Sequence, residues 1–384
     1  MTSIPDVQSP LREPFVIAAL AALRGRGPQT LSELSKATLL SRPTVLGALN
    51  DLHERGWVER MEPTASGAGR PAMRFRFKAE SGVVVGVDVG VHKIFVVASD
   101  LNEQILGVHR VEVEPTLIGA MRVKTVVNAI RETVNTFAPD ARLLAVGVGA
   151  PGIVDGLGRV SVSPAIPEWD GIDLAGHLRS ALGSPVFVEN DAHTATLGES
   201  YYGAGRGART FAYLMAGYRI SSGIVIDGKL HRGWSGASGM IGEMDILEWK
   251  DAPEALITGA STADARLSTA LDVFQAAADG NEAAQVAAER YIDSLAVGLS
   301  ALSLAVDPEL IVVGGGISLV GHRLADALRA RLSVRASIVH PRVEISELGD
   351  RAVAMGGVRL ALDYVESSVF DFSVVDRSHS ELNR

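Results

Sequence analysis

From residue 83 onward the chain states one pattern twice. Val83–Val89, Lys93–Ser99 and Gln104–Val113 are three successive strand-like runs. A long helix pattern over Leu117–Phe137, a buried strand over Leu143–Val148 and a strand-and-helix pair ending in Pro185-Val-Phe-Val-Glu-Asn190 follow them. Thr210–Met215, Ile220–Ile226 and Lys229–Arg232 restart the scheme, with helix patterns over Asp264–Ala278 and Ala283–Val306 and a strand over Glu309–Val313. Closely spaced runs suit antiparallel hairpins, and strand–helix alternation suits parallel pairing. Two β-β-β-α-β-α lobes with a cleft between them are therefore expected. A last helix near Met355–Tyr364 is expected to cross back to the first lobe.

Residues 1–80 follow a different plan. Phe15–Leu23 is apolar nearly all round and predicts a buried helix. Thr30-Leu-Ser-Glu33 is a capping box opening a short second helix. Ser41 caps a third, whose first turn tolerates Pro43, and Val45, Leu49 and Leu52 mark its buried stripe. About three residues separate helices two and three, the spacing of a helix-turn-helix. Trp57–Met61 and Ala72–Phe77 predict a hairpin with its tip at Pro63–Pro71. The whole reads as a winged helix. The third helix would enter the major groove by its N-terminal end, offering Ser41, Arg42 and Thr44, while the wing supplies Arg70 and Arg74. A protein-interaction module is the alternative use of such a domain.

Charge is divided between these parts. Residues 1–80 carry 11 Lys/Arg against 8 Asp/Glu, and the remainder carries 25 against 37, for a net −9 overall. A mildly basic head on an acidic body is compatible with nucleic-acid binding by the head. The chain has no cysteine, which excludes disulfides and thiolate metal sites. No apolar run reaches the roughly 18 residues of a membrane span, and no signal-peptide pattern follows Met1. A cytoplasmic protein with no membrane partner is expected.

Gly147-Val-Gly-Ala-Pro-Gly152, Val188-Glu-Asn-Asp-Ala192, Gly236-Ala-Ser-Gly-Met-Ile-Gly-Glu-Met244 and Val312-Val-Gly-Gly-Gly-Ile-Ser318 together resemble the ROK family of repressors, open reading frames and sugar kinases. The likeness runs over residues 81–365, and the head, with Gly69-Arg-Pro71, looks like that of ROK repressors of the NagC/XylR kind. It implies an α/β fold: a winged helix-turn-helix followed by a two-lobed actin/hexokinase-like (ribonuclease H-like) ROK domain. The expected division is 1–80 for DNA binding, 81–192 plus 354–384 for the first lobe, and 193–353 for the second lobe with oligomerisation helices.

The resemblance also implies roles for single residues. Asn190 and Asp191 match the family's sugar-binding pair, whose aspartate is the catalytic base, although Asp191 could also serve as a helix N-cap. Gly152 and Glu254 match sugar-site positions, and Met240 and Glu243 stand where the family has a sugar-binding glutamate and a zinc histidine. The phosphate loops depart from the kinase pattern. Val91 and His92 replace glycine and threonine in the first, and Tyr218, Arg219 and Ser221 occupy the second, where bare backbone is needed to approach a phosphate. With no cysteine and Glu243 in the histidine position, none of the family's four zinc ligands is present. Packing by Ile246, Leu247 and Trp249 is expected to replace the metal.

The expectation is a transcription regulator, a repressor by preference, binding operator DNA as a homodimer or homotetramer. A sugar-like effector would occupy Gly152, Asn190, Asp191, Met240, Glu243 and Glu254. No cofactor, no metal and no kinase activity are expected, Asp191 being a vestigial base. Two alternatives stand beside it: a bifunctional sugar kinase, and a regulator using the ROK domain only for oligomerisation.

Overall fold

A computed structural model of the chain describes residues 14–62, 72–163, 165–261 and 267–370. The head begins with α1 (Pro14–Leu23), β1 (Gln29–Thr30), α2 (Leu31–Thr38) and α3 (Arg42–Glu54) and closes with β2 (Val58–Met61) and β3 (Arg74–Phe77). The capping box is formed: the Thr30 side chain accepts from the Glu33 amide and Glu33 accepts from the Thr30 amide. Ser41 caps α3 by accepting from the Thr44 amide. Val45, Leu49 and Leu52 are buried, as their spacing predicts. β1 was not expected. Two residues entering α2 pair with β3, giving an antiparallel sheet ordered β1-β3-β2.

The first lobe comprises β4 (Gly82–Val89), β5 (Lys93–Ser99), β6 (Ile105–Glu112), α4 (Gly119–Phe137) and β7 (Arg142–Ala150). A small hairpin, β8 (Ile153–Val154) and β9 (Val160–Val162), precedes α5 (Leu174–Leu182), β10 (Val186–Asn190) and α6 (Asp191–Tyr202). The second lobe comprises β11 (Phe211–Ala216), β12 (Ile220–Ile226), β13 (Lys229–Leu230), α7 (Ala252–Ser261), α8 (Ala270–Ala278), α9 (Glu282–Val306), β14 (Leu310–Gly314), α10 (His322–Arg335) and β15 (Arg342–Ile345). The chain then forms α11 (Ala352–Tyr364) and a π turn, Val365–Val369.

The two sheets share one strand topology. The sheets run β6-β5-β4-β7-β10 and β13-β12-β11-β14-β15. In each, an antiparallel meander is extended on one side by two parallel strands. α11 returns to the first lobe, packing on β4, β7 and α6.

Three local expectations change. β13 is only two residues long: after the turn at Gly228, whose φ is +75°, Lys229 and Leu230 pair with Ile226 and Val225, and the ladder ends there. α7 was not expected: it starts at Ala252 and buries Ala252, Leu256 and Ala260. α8 starts at Ala270, behind a Thr269/Asp272 capping box, and residues 262–266 of the expected helix lie outside the described residues. The head also shares its core with the first lobe. Leu20, Leu49, Trp57 and Phe77 form one apolar cluster with Val84, Val97, Val358, Leu362 and Phe370.

Candidate functional site

In the head, α3 turns Val45, Ala48, Leu49 and Leu52 inward and leaves Arg42, Pro43, Leu46 and Gly47 exposed. Cations around this face fall into two groups. Arg55 is ion-paired to Asp51 at 3.0 Å, and Arg76 to Glu59 and Glu80 at 2.5 and 2.6 Å. Arg42, Arg60 and Arg74 instead donate to neutral acceptors: Arg42 to the Ser32 hydroxyl (2.6 Å), Arg60 to the Asn50 amide oxygen (2.7 Å) and Arg74 to the Pro28 carbonyl (2.8 Å). A neutral acceptor holds a guanidinium in place without cancelling its charge, which leaves it available to a phosphate or base edge. Ser41 and Thr44 share a hydroxyl–hydroxyl bond of 2.7 Å at the helix start. Arg70 lies outside the described residues. Sequence reasoning missed Arg60 and Asn50. Asn50 sits two turns along α3 from Arg42, and only the fold shows that β2 brings Arg60 across to it.

The interlobe cleft is built on the start of α6. β10 ends at Asn190, which caps α6: its Oδ1 accepts from the His193 amide at 3.0 Å. Its Nδ2 donates to the Gly152 carbonyl and to Asp191 Oδ1, both at 2.9 Å. The N-cap role open to Asp191 thus belongs to Asn190. Asp191 Oδ1 accepts from the Ala192 amide at 2.8 Å. Burial pushes the Asp191 carboxyl up to about 6, although the Ala192 amide, His193 and Asn190 favour its charged form.

Gly152, Asn190, Asp191, Met240 and Glu243 line one chamber of about 280 Å³, with Ile153, Val162, Ser163, Met215 and Ile220 among the other walls. Five of the six effector residues expected from sequence are thus together. Glu254 is not among them. Because α7 starts at Ala252, Glu254 falls in its first turn and is exposed, while Ala252 and Leu256 face the core. His193, also missed, is fully buried. Its Nε2 donates to the Ser238 carbonyl at 2.7 Å and its Nδ1 lies 3.2 Å from Glu189 Oε1, and Glu189 also pairs with Arg232. These bonds tie the start of α6 to the loop that carries Met240.

A second chamber of about 320 Å³ adjoins the first through Pro151, Ala165, Asp191, Met215 and Arg219. Asp88, His92, Tyr218, Gly315 and Val353 line it. The two loops that would hold phosphates meet here side chain to side chain: the His92 and Tyr218 rings stand edge to face, 5.3 Å apart. Fully buried Arg122 fixes the Gly90–Val91 turn by donating to both carbonyls, at 2.6 and 3.2 Å. Asp88 is buried 3.9 Å from Lys93, and burial, with only partial relief from Lys93, drives its carboxyl up to about 7. Lys93 pairs more closely with Asp350, at 2.8 Å. These loops do not fit a nucleotide triphosphate.

The residues do not fit a zinc ion either. Glu243 faces Arg219 at 3.3 Å and Lys250 at 3.4 Å, so a dication there would meet two cations. Among the described residues no group of three or more His, Asp or Glu is arranged to hold a metal. Trp249 organises this region. It is 1% exposed, and its Nε1 donates to the Ser294 carbonyl at 3.0 Å. Ser294 in turn donates to the Leu247 carbonyl at 2.9 Å. Leu247 is buried with Trp249, but Ile246 is 80% exposed and is not part of the plug.

A winged helix fused to a duplicated two-lobed body, with an Asn-Asp pair at the cleft, defines a ROK-type protein with a DNA-binding-type head. The chain belongs to the ROK family: the ROK family model matches residues 84–364, and a MarR family model matches residues 14–68. It is 25% identical over 363 residues to a putative xylose repressor of Caldicellulosiruptor sp. (strain Rt8B.4), covering 86% of this chain and 91% of that protein. Its fold matches a ROK family glucokinase from Streptomyces griseus, in complex with glucose and AMPPNP, with TM-score 0.64, 27% identity and coverage of 73% and 100% of the two chains. It also matches a ROK family transcriptional regulator, a homologue of the E. coli MLC protein, with TM-score 0.72, 19% identity and coverage of 94% and 98%. The latter likeness shows the fold, head included.

Proposed function

We propose that the chain is a DNA-binding transcription regulator, a repressor, whose operator affinity is set by a small sugar-like molecule in the interlobe cleft. The observation that carries the reading is the exposed face of α3, flanked by Arg42 and Arg60, neither of which has an ion-pair partner among the described residues. The repressor names of full-length relatives such as the Caldicellulosiruptor protein support it. Asn190, Asp191 and Ser163 give the cleft a hydrogen-bonding edge, and Ile153, Met215, Ile220 and Met240 give it an apolar one. That combination suits a neutral sugar ring. The three-part division belongs to this proposal, with the head ending at residue 80 and the lobe boundaries moved from 192 and 354 to the end of α6 at Tyr202 and the start of α11 at Ala352, since both helices are continuous. So does a homodimer or homotetramer, since one winged helix reads one half-site. Among the described residues no helix is long and apolar enough to cross a membrane, in keeping with a cytoplasmic regulator.

The test is selection of bound fragments from sheared genomic DNA, then titration of the selected duplex with and without D-xylose, D-glucose and other neutral sugars. No selected sequence, at any salt, would sink the regulator reading. Selection without a sugar response would favour the body as an oligomerisation platform. Asp191 keeps the sugar-kinase alternative in view, and sugar-dependent ATP consumption abolished by Asp191→Ala would establish it. The proposal expects none, because His92, Tyr218 and Arg219 fill both phosphate loops.

A further inference from the structure

One helix touches both functional regions. The first residues of α11, Ala352 and Val353, line the second chamber of the cleft. Next, α11 lies backbone to backbone on α6. A methyl group at Gly356 would sit 1.7 Å from the Thr194 carbonyl oxygen, and one at Gly198 would sit 2.3 Å from that of Ala352. Thr194 is one turn from Asn190 and donates its hydroxyl to the Asn190 carbonyl at 2.7 Å. On its other side α11 meets the sheet through glycines as well: a methyl group at Gly86 or Gly147 would collide with the carbonyls of Ala354 or Gly357. At these glycines backbone meets backbone, so α6 cannot shift without displacing α11, whose Met355, Val358 and Leu362 side chains are packed in the core shared with the head.

The far end of the same helix enters the head. Phe370 is fully buried, its ring 5.1 Å from Trp57 and 6.1 Å from Phe77, edge to face in both cases. Val365 and Val369 belong to the same cluster. An ionic knot lies just before them. Arg359, 4% exposed, pairs with Glu103, Asp363 and Glu366, and Glu103 and Glu366 also pair with Arg24 at the end of the head's α1. A head cation and an α11 cation thus share two carboxylates.

We propose that α11 and its C-terminal turn relay the state of the cleft to the DNA-binding head, with Phe370 as the bolt that engages it. The inference rests on the reading of head and cleft above, and adds the element that joins them. Intermediacy alone does not demonstrate coupling, so the test is a double-mutant cycle. Gly356→Ala wedges α6 from α11 at the cleft end, and Val353→Ala is a milder change there that leaves the helix crossing intact. Each is made in the full chain with Phe370 and with Phe370→Ala. Two readouts are used: amide exchange of α1–α3, and anisotropy with a random-sequence duplex of about 30 base pairs at low salt, where phosphate contacts dominate. The relay predicts that each cleft-end change alters head exchange and duplex affinity several-fold when Phe370 is present and leaves both unchanged in Phe370→Ala. Equal responses in the two backgrounds, or no response at the head in either, would overturn it. If no form binds the duplex, the DNA-binding reading fails and the exchange measurements still decide the relay.

Discussion

The indole of Trp249 makes a prediction whose sign changes with its partner. Gly298 lies in the buried face of α9, and a methyl group there would sit 2.2 Å from Trp249 Cζ2. Alanine is favoured over glycine in a helix interior by about 1 kcal/mol. A contact at that distance with a fused ring held by burial and a hydrogen bond costs more, on the order of 1–3 kcal/mol for a methyl forced into a packed core. Gly298→Ala should therefore destabilise the protein by about 1 kcal/mol. Trp249→Ala should destabilise it by about 3–5 kcal/mol, through the lost burial and the cavity left behind. With the indole gone, the obstacle to a methyl at position 298 is gone too. Gly298→Ala should then stabilise the Trp249→Ala protein by about 0.5–1 kcal/mol, leaving a coupling of about 2 kcal/mol between the two sites. The measurement is the urea midpoint and melting temperature of the four proteins. If Gly298→Ala acts with one sign in both backgrounds, the indole is not the organiser of this region.

Further outcomes follow from the same geometry. Arg42→Ala and Arg60→Ala should each weaken binding of a selected duplex by about 1–3 kcal/mol if they contact base edges, while Arg76→Ala, already held by two glutamates, changes it little; fluorescence anisotropy across a salt series checks this. Melting temperature should be indifferent to a strong chelator, and stoichiometric zinc by elemental analysis would contradict the packing account. The Asp88 carboxyl sits at about 7 in the folded protein against an ordinary 3.8. Its contribution is therefore fully present below about pH 4 and lost as pH rises through 7. Asp88→Asn removes that loss, so the variant's melting temperature relative to wild type should climb between about pH 4 and 7 and level off above about 8. A difference that stays constant over that range would show that Asp88 does not titrate there.

Much of the fold was legible because its signals are local. The Thr30/Glu33 box, the Ser41 cap and the Val45–Leu49–Leu52 stripe lie within a few residues of one another, and each reports on a single helix. The repeated meander is likewise a sum of short alternations. What escaped were pairings between distant segments. Arg60 reaches Asn50, Arg24 reaches Glu366, and Phe370 enters the core of a head that starts more than 300 residues earlier. No periodicity announces such contacts. Within the cleft, Asn190, Asp191, Gly152, Met240 and Glu243 were found by motif. His193 was passed over because its meaning depends on two acceptors, Glu189 one turn behind and Ser238 from another loop. Glu254 failed for a local reason: helix α7 begins two residues before it and turns it to solvent.

The charges of the cleft argue for the kind of molecule it receives. Its cations are already engaged: Lys93 and Arg110 with Asp350, and Arg219 with Glu243. The carboxyls of Asp88 and Asp191 line the second chamber together with Lys93, Arg110, Arg219 and Asp350. A nucleotide triphosphate entering there would have to detach Lys93, Arg110 or Arg219 from its carboxylate and accept repulsion from Asp88 or Asp191. These pairs are partly exposed, so detaching one costs no more than about 1 kcal/mol, and repulsion from the Asp88 and Asp191 carboxylates is the larger obstacle. A neutral polyol meets neither cost. Its hydroxyls can donate to Asp191 and Asn190 Oδ1, and its ring face can rest on Met215, Ile220 and Met240 without disturbing any ion pair. Side chains at Val91, Arg219 and Ser221, where the kinase pattern has glycine, therefore do more than block a phosphate loop. Together with the ion pairs they favour a ligand without charge over a polyanion, which supports the neutral sugar-like effector proposed above.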